Sequence, residues 1–105
     1  MALKAGFVVM APQADPKRHR ASIKTPKIEL TTVVADSGNF DQVVKVCQEL
    51  VQSEGVKALI LCPGFSHQSV ARIASAVGPG VAITVARGDT PSTLMTREML
   101  KKEGW

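Results

Sequence analysis

The chain has 105 residues, enough for one domain with its own core and too few for two. Apolar residues make up 45% and charged residues 21%, which excludes a disordered chain. A net charge of +4 would suit an anionic partner, but with no Tyr, three Phe and one Trp the chain lacks the stacking platforms of nucleic-acid binders. Taken in order, Lys4 to Ala11 (KAGFVVMA) is almost wholly apolar and predicts a strand buried on both faces, ended by Pro12. Asp15-Pro16 is an N-cap followed by Pro at the first helical position. It predicts a short helix from Pro16 to about Ile23 carrying the basic cluster Lys17, Arg18, His19 and Arg20. Thr25-Pro26 breaks that segment, and Ile28 to Ala35 has the composition of an edge strand.

Asp36-Ser37-Gly38-Asn39 is turn chemistry, with Asn39 placed to cap a helix. From there Phe40, Val43, Val44, Cys47, Leu50 and Val51 fall on one helical face, so Cys47 reads as a packed thiol without chemistry, and Gly55 stops the helix. Val56 to Cys62 is the third strand. Ser66 caps a second helix to about Val77, with Val70, Ile73, Ala74 and Val77 inward. Gly78-Pro79-Gly80 breaks it, and Val81 to Ala86 is the fourth strand. Thr90-Pro91-Ser92 opens a final helix to Lys102 whose apolar stripe is only approximate. Residues 1–105 therefore form a single α/β domain, with 88–105 as a C-terminal tail or helix.

Strands alternating with helices predict an α/β fold with a small, mainly parallel four-stranded sheet. Right-handed crossovers give the order 2-1-3-4, half of a doubly wound, Rossmann- or flavodoxin-like fold. In that arrangement one sheet face is covered only by the Pro16–Ile23 connector, although the first, third and fourth strands read as buried on both sides. The tail residues Leu94, Met95, Met99, Leu100 and Trp105 are apolar enough to cover it, from the same chain or another, and a homo-oligomer is expected. No apolar run approaches the roughly 20 residues that span a bilayer. Gly6 to Ala11 is also too short for a secretory signal. The expected location is cytoplasmic, with no membrane partner and with Cys47 and Cys62 as reduced thiols.

In open parallel sheets ligands bind at the carboxyl ends of the strands. Those ends carry Gln13, Asp15 and His19, then Asp36, then Cys62 to His67, then Arg87 and Asp89. Both histidines and the one cysteine outside the core stripe fall in this set, although loops are polar in any case. Cys62, facing the helix begun by Ser66, is a candidate nucleophile with His67 or His19 as base; the structural alternative is a buried inert thiol. His19 and His67 also suit an acid-base pair flanking a small anion held by Arg20, Arg87 and the free N–H groups of the second helix. A small-phosphatase loop needs Arg six positions after its Cys, and Gln68 stands there. His19, Cys62, His67 and Asp15 offer metal-ligand chemistry but no close-spaced pair, so no metal is expected. No G-x-G-x-x-G or Walker lysine follows a strand, and no cofactor is expected.

The segments APQADPKRHR, TPKIELTTV and LCPGFSH resemble those of a family of short, mostly bacterial proteins known only as a domain of unknown function. The resemblance covers about residues 4–87. It implies a compact α/β fold and places His19, Arg20, Cys62, Gly64, Phe65 and His67 at the family's motif positions; it implies no activity. Pro63 stands where a small residue such as Gly is expected. With Asp15, Ser66 and Arg87 from the same edge, the candidate set is His19, Cys62 and His67 for catalysis and Asp15, Arg20, Gly64, Phe65, Ser66 and Arg87 for binding. Two function classes follow. One is a small cofactor-independent enzyme of isomerase, lyase or hydrolase type acting on a compact anionic or carbonyl metabolite. The other is a non-catalytic small-ligand-binding or oligomeric interaction module.

Overall fold

The N-terminal apolar run forms β1 (Leu3–Ala11) in the computed structural model, which describes Met1–Trp105. It is followed by β2 (Arg20–Lys24), β3 (Ile28–Asp36), α1 (Phe40–Gln52), β4 (Ala58–Leu61), α2 (His67–Val77), β5 (Ala82–Val85) and α3 (Ser92–Lys102). The five strands form one sheet in the order β2-β3-β1-β4-β5. β1 pairs in parallel with β3 and β4, and β4 with β5, while β2 runs antiparallel to β3.

Three expectations are corrected here. The segment expected as a helix from Pro16 to Ile23 is instead a turn followed by β2. Four consecutive basic residues offer no apolar stripe to bury, whereas extended backbone satisfies its polar groups on β3, with Arg20 opposite Val33 and Lys24 opposite Glu29. The Thr25 hydroxyl closes the hairpin by accepting from the Lys27 and Ile28 N–H groups at 3.3 and 3.0 Å. The sheet consequently has five strands and not the four of the order 2-1-3-4. β3 is internal, lying between β2 and β1, and not the edge strand its composition suggested.

Asn39 and Ser66 cap the first two helices, their side chains accepting from the Gln42 and Ser69 N–H groups. Gly55, in left-handed backbone at φ 75°, turns the chain out of α1 into β4. Both helices lie against one face of the sheet. Val43, Cys47 and Leu50 of α1, Ile73 and Val77 of α2, and Val8, Val33, Leu59 and Leu61 of the strands form a buried cluster there. Gly6 marks the closest approach, since a methyl group at its Cα would come within 3.3 Å of Leu59 and 3.4 Å of Leu50. Gln48 ties the helices by donating to the Ala76 carbonyl at 3.3 Å, and Arg72 pairs with Asp41 while stacking over the Phe40 ring.

Because side chains alternate along a strand, Gly6, Val8 and Met10 face the helices, and Leu3, Phe7 and Val9 face away. The expectation that the central strands are buried on both sides is corrected in the same way: no helix packs on this second face, and Phe7, Val9, Leu30, Val34 and Ile60 are only half-buried. Their apolar character is nevertheless continuous across β3, β1 and β4. The expected cover, the Pro16–Ile23 connector, has become an edge strand and extends the face instead of shielding it. No helix is long and apolar enough to cross a membrane.

Burial pushes the Cys47 thiol up from 9.0 to about 12. The folded state therefore keeps its proton where the unfolded chain releases it, so this contribution is intact below pH 9 and is lost as pH rises toward 12. Urea unfolding at successive pH values should show a loss of up to about 1.4 kcal/mol per pH unit in that window. A Cys47→Ala variant, less stable at pH 8, should lack this part of the alkaline slope; identical slopes in the two proteins would contradict the assignment.

Candidate functional site

The carboxyl ends of all four parallel strands, Ala11, Asp36, Leu61 and Val85, share one edge of the sheet. Chain leaving β1 turns sharply at Gln13, whose φ of 62° is left-handed. Asp15 then builds a turn of its own: its Oδ1 accepts from Lys17 N–H at 3.0 Å, and its carbonyl accepts from the N–H groups of Arg18 and His19. Its own N–H donates to His19 Nδ1 at 2.8 Å. That bond fixes the imidazole against the turn and leaves Nε2 as the free nitrogen. Asp15 and His19 thus have a local structural role.

β4 ends in a turn in which Phe65 N–H donates to the Cys62 carbonyl at 3.2 Å. Phe65, a candidate binding residue in the sequence, is buried and stacks edge-to-face on Phe40 with ring centres 6.2 Å apart. Its role is to anchor the loop, a contact worth about 0.5–1.5 kcal/mol beyond the area it buries. Ser66 is committed to capping α2, and its hydroxyl also meets that of Ser69 at 3.0 Å. His67 is the first residue of α2 and is exposed. Cys62 is 8% exposed, and its Sγ lies 3.5 Å from the point where a side chain on Gly64 would begin. The buried thiol packs against the side-chain-free face of Gly64, with Met10 beside it.

The structure does not bring His19 together with Cys62. Val34 N–H donates to the His19 carbonyl, and Cys62 N–H to Val8, which sets these residues at the β2 and β4 positions with β3 and β1 between them. At the usual strand spacing this is about 14 Å, far beyond hydrogen-bond reach. Nor does Arg20 join Arg87 around one ligand. It pairs with Glu54 at 2.6 Å on the helix-covered side, and both belong to a separate cleft of about 210 Å³ that α1 lines with Gln42, Lys45 and Glu49. No group of three His, Cys, Asp or Glu side chains is arranged to hold a metal ion.

Two of the candidate binding residues line a common cleft. Gly64 and Arg87 face each other across a cleft of about 590 Å³ bounded by Pro63-Gly64, by Ala86 to Asp89, and by one side of α3. That side presents Thr93, Thr96, Arg97 and Leu100, with Ser92 beside them. Arg87 Nε donates to Asp89 Oδ1 at 2.7 Å, an exposed pair, while Arg97 has no ion-pair partner. Sequence reasoning missed the α3 residues. Their signal was the spacing of Thr93, Thr96, Arg97 and Leu100 at i, i+3, i+4 and i+7, which marks a helix face as surely when its members are polar as when they are apolar.

Residues 3–101 match a family of unknown function, DUF6506. The chain belongs to this family. The match runs through α3 almost to its end, so the family pattern includes the far wall of the cleft as well as the Cys62–His67 loop. No curated protein and no solved structure matches the chain.

The two thiols should differ in reactivity. Cys47 is wholly enclosed and held protonated by burial, whereas Cys62 lies just beneath the Gly64 backbone. Iodoacetamide followed by peptide mass spectrometry should label Cys62 well before Cys47 in the folded protein. Equal protection of both until unfolding would assign Cys62 to the core alone.

Proposed function

We propose that this protein binds a compact anionic metabolite in the cleft between the Pro63-Gly64 loop, the Ala86–Asp89 segment and α3. The observation that carries the reading is Arg97, a guanidinium without a carboxylate partner, in a cleft lined also by hydroxyls, backbone and the Arg87–Asp89 ion pair, in which the one carboxylate is already matched by Arg87. Arginine's planar fork suits carboxylate and phosphate, and Arg87 adds a second guanidinium on the facing wall. Gly64 and Gly88 allow a ligand to approach the main chain closely. The cleft lies at the carboxyl edge of the parallel strands, the edge at which open parallel sheets bind ligands, at its β4–β5 end and one strand away from the reversal of strand order between β1 and β4.

A second reading, a small cofactor-independent enzyme of isomerase, lyase or hydrolase type, is favoured by one observation: the Cys62 thiol lies directly behind Gly64 in the cleft wall. In it Cys62 is the nucleophile and His67, which opens α2 five residues after Cys62, supplies acid-base chemistry. His19 has no part, being across the sheet. The binding reading needs no group to move. The catalytic one needs the Gly64 segment to shift and expose Sγ.

Titration with inorganic phosphate and with malonate, followed by amide chemical shifts, tests the binding reading. Perturbations should cluster at Gly64, Gly88, Thr93 and Arg97, and Arg97→Ala should weaken binding about tenfold or more, as loss of a charge-assisted hydrogen bond does. Shifts confined to the Arg20–Glu54 cleft, or none at millimolar anion, would refute it. The catalytic reading predicts turnover of small carbonyl or carboxylate compounds that Cys62→Ala abolishes with the fold and anion affinity intact.

A further inference from the structure

The two outer strands of the sheet differ in chemistry. β5, at one edge, contains no charged residue; β2, at the other, is RASIK and is exposed at every position. The segment from Pro16 to Ile28 that contains β2 has five of the 13 Lys and Arg residues and none of the nine Asp and Glu. The rest of the chain has eight cations against nine carboxylates, so the net charge of +4 originates at this one edge. We infer that β2 is a docking edge for an acidic, extended segment of a partner protein, which joins the sheet as a further strand antiparallel to β2.

The backbone of β2 is set for such an addition, in which main-chain hydrogen bonds give affinity and alternate side chains give specificity. Val34 N–H donates to the His19 carbonyl at 2.9 Å and Thr25 N–H to the Ile28 carbonyl at 2.8 Å, so His19 and Thr25 are bonded positions of the β2–β3 ladder. Bonded and outward positions alternate in an antiparallel pair, so Ala21 and Ile23 also face β3. Arg20, Ser22 and Lys24 consequently turn their N–H and C=O groups away from the sheet, as an unpaired row of donors and acceptors. The side chains of these residues lie on the helix-covered side, where Arg20 reaches Glu54 and Ser22 meets Thr31, while Ile23, 63% exposed, stands on the other. An added strand sets its directly opposite residues beside Arg20, Ser22 and Lys24 and its intervening ones beside Ala21 and Ile23. The edge thus selects carboxylates at alternate positions with apolar residues between them.

Charge decides the occupant. Charged side chains on an edge strand commonly prevent pairing, and on β2 they act against a second copy. Two β2 strands paired antiparallel about Ser22 would put Arg20 of each opposite Lys24 of the other, and like charges directly opposite are destabilising. General edge protection does not account for the cluster, because β5 is the other edge, is largely exposed and has no charge. An acidic strand meets the reverse situation. Arg20 and Lys24 already hold the carboxylates of Glu54 and Glu29 at 2.6 and 3.8 Å, while Lys17, Arg18 and Lys27 have no ion-pair partner.

Fluorescence anisotropy with a labelled peptide of alternating Glu and Val tests the inference apart from any ligand of the Arg97 cleft. The peptide should bind the full chain saturably with a dissociation constant below about 1 mM, and the same peptide with Lys in place of Glu should not bind. Methyl groups on the Glu nitrogens, which face β2 in an antiparallel pair, leave the charge unchanged and should weaken binding about tenfold or more. Lys24→Pro removes an outward N–H and spares the β3 ladder, and Arg18→Glu with Lys27→Glu changes only exposed side chains. Each variant should weaken binding about fivefold or more, with circular dichroism verifying that it folds. No binding of the Glu–Val peptide at about 1 mM protein would overturn the inference. Undiminished binding of the methylated peptide would also overturn it, since attraction would then be by charge alone. So would sedimentation showing that the chain pairs with itself and that Lys24→Pro abolishes the pairing.

Discussion

The handedness of the crossovers sets everything else in this structure. β3 connects through α1 to β4, and β4 through α2 to β5, and both connections step the same way across the sheet. Right-handed connections stepping in one direction place their helices on one face. A helix reaches the other face only if a connection steps back, and the one that does, from β1 to β3, is made of a turn and the edge strand β2. The chain therefore has two layers where the composition of its central strands provides for three. The core of Val8, Val33, Leu59 and Leu61 against α1 and α2 is complete, with no buried side-chain polar atom left without a partner. The opposite face has only the cover its own side chains provide.

The same constraint decides where chemistry can occur. Parallel strands deliver all their following loops to one edge, so the loops after β1, β4 and β5 lie on a common rim, but the sheet is wide and the rim is divided. At the β2 end the Asp15–His19 turn satisfies its own polar groups, and Arg20 reaches under the sheet to Glu54 near the end of α1. At the β5 end the loop after β4 is fixed from below by Phe65 on Phe40 and the wall opposite is α3. There the Pro63-Gly64 backbone, the Arg87–Asp89 pair, and the hydroxyls and Arg97 of α3 line one cleft.

Local residue chemistry alone determined the elements whose signals lie within a few residues. The apolar stripe from Phe40 to Val51 identified α1 and the packed thiol Cys47; Asn39 and Ser66 identified the caps; Pro and Gly pairs marked the breaks. Each depends on spacing along one chain segment, and spacing is what a sequence records. The Pro16–Ile23 segment had helix-start chemistry, but its backbone polar groups found better partners on β3, a decision made by a strand remote in sequence. That choice turned β3 into an internal strand and left the second face bare. The candidate residues were legible as members of one edge, because parallel topology implies it. Which of them meet was not, since the distance from His19 to Cys62 depends on how many strands intervene, and the meeting of Gly64, Arg87 and Arg97 depends on where α3 comes to rest. The residue types on the rim were set by the sequence; their grouping was decided by strand order and by the packing of one terminal helix.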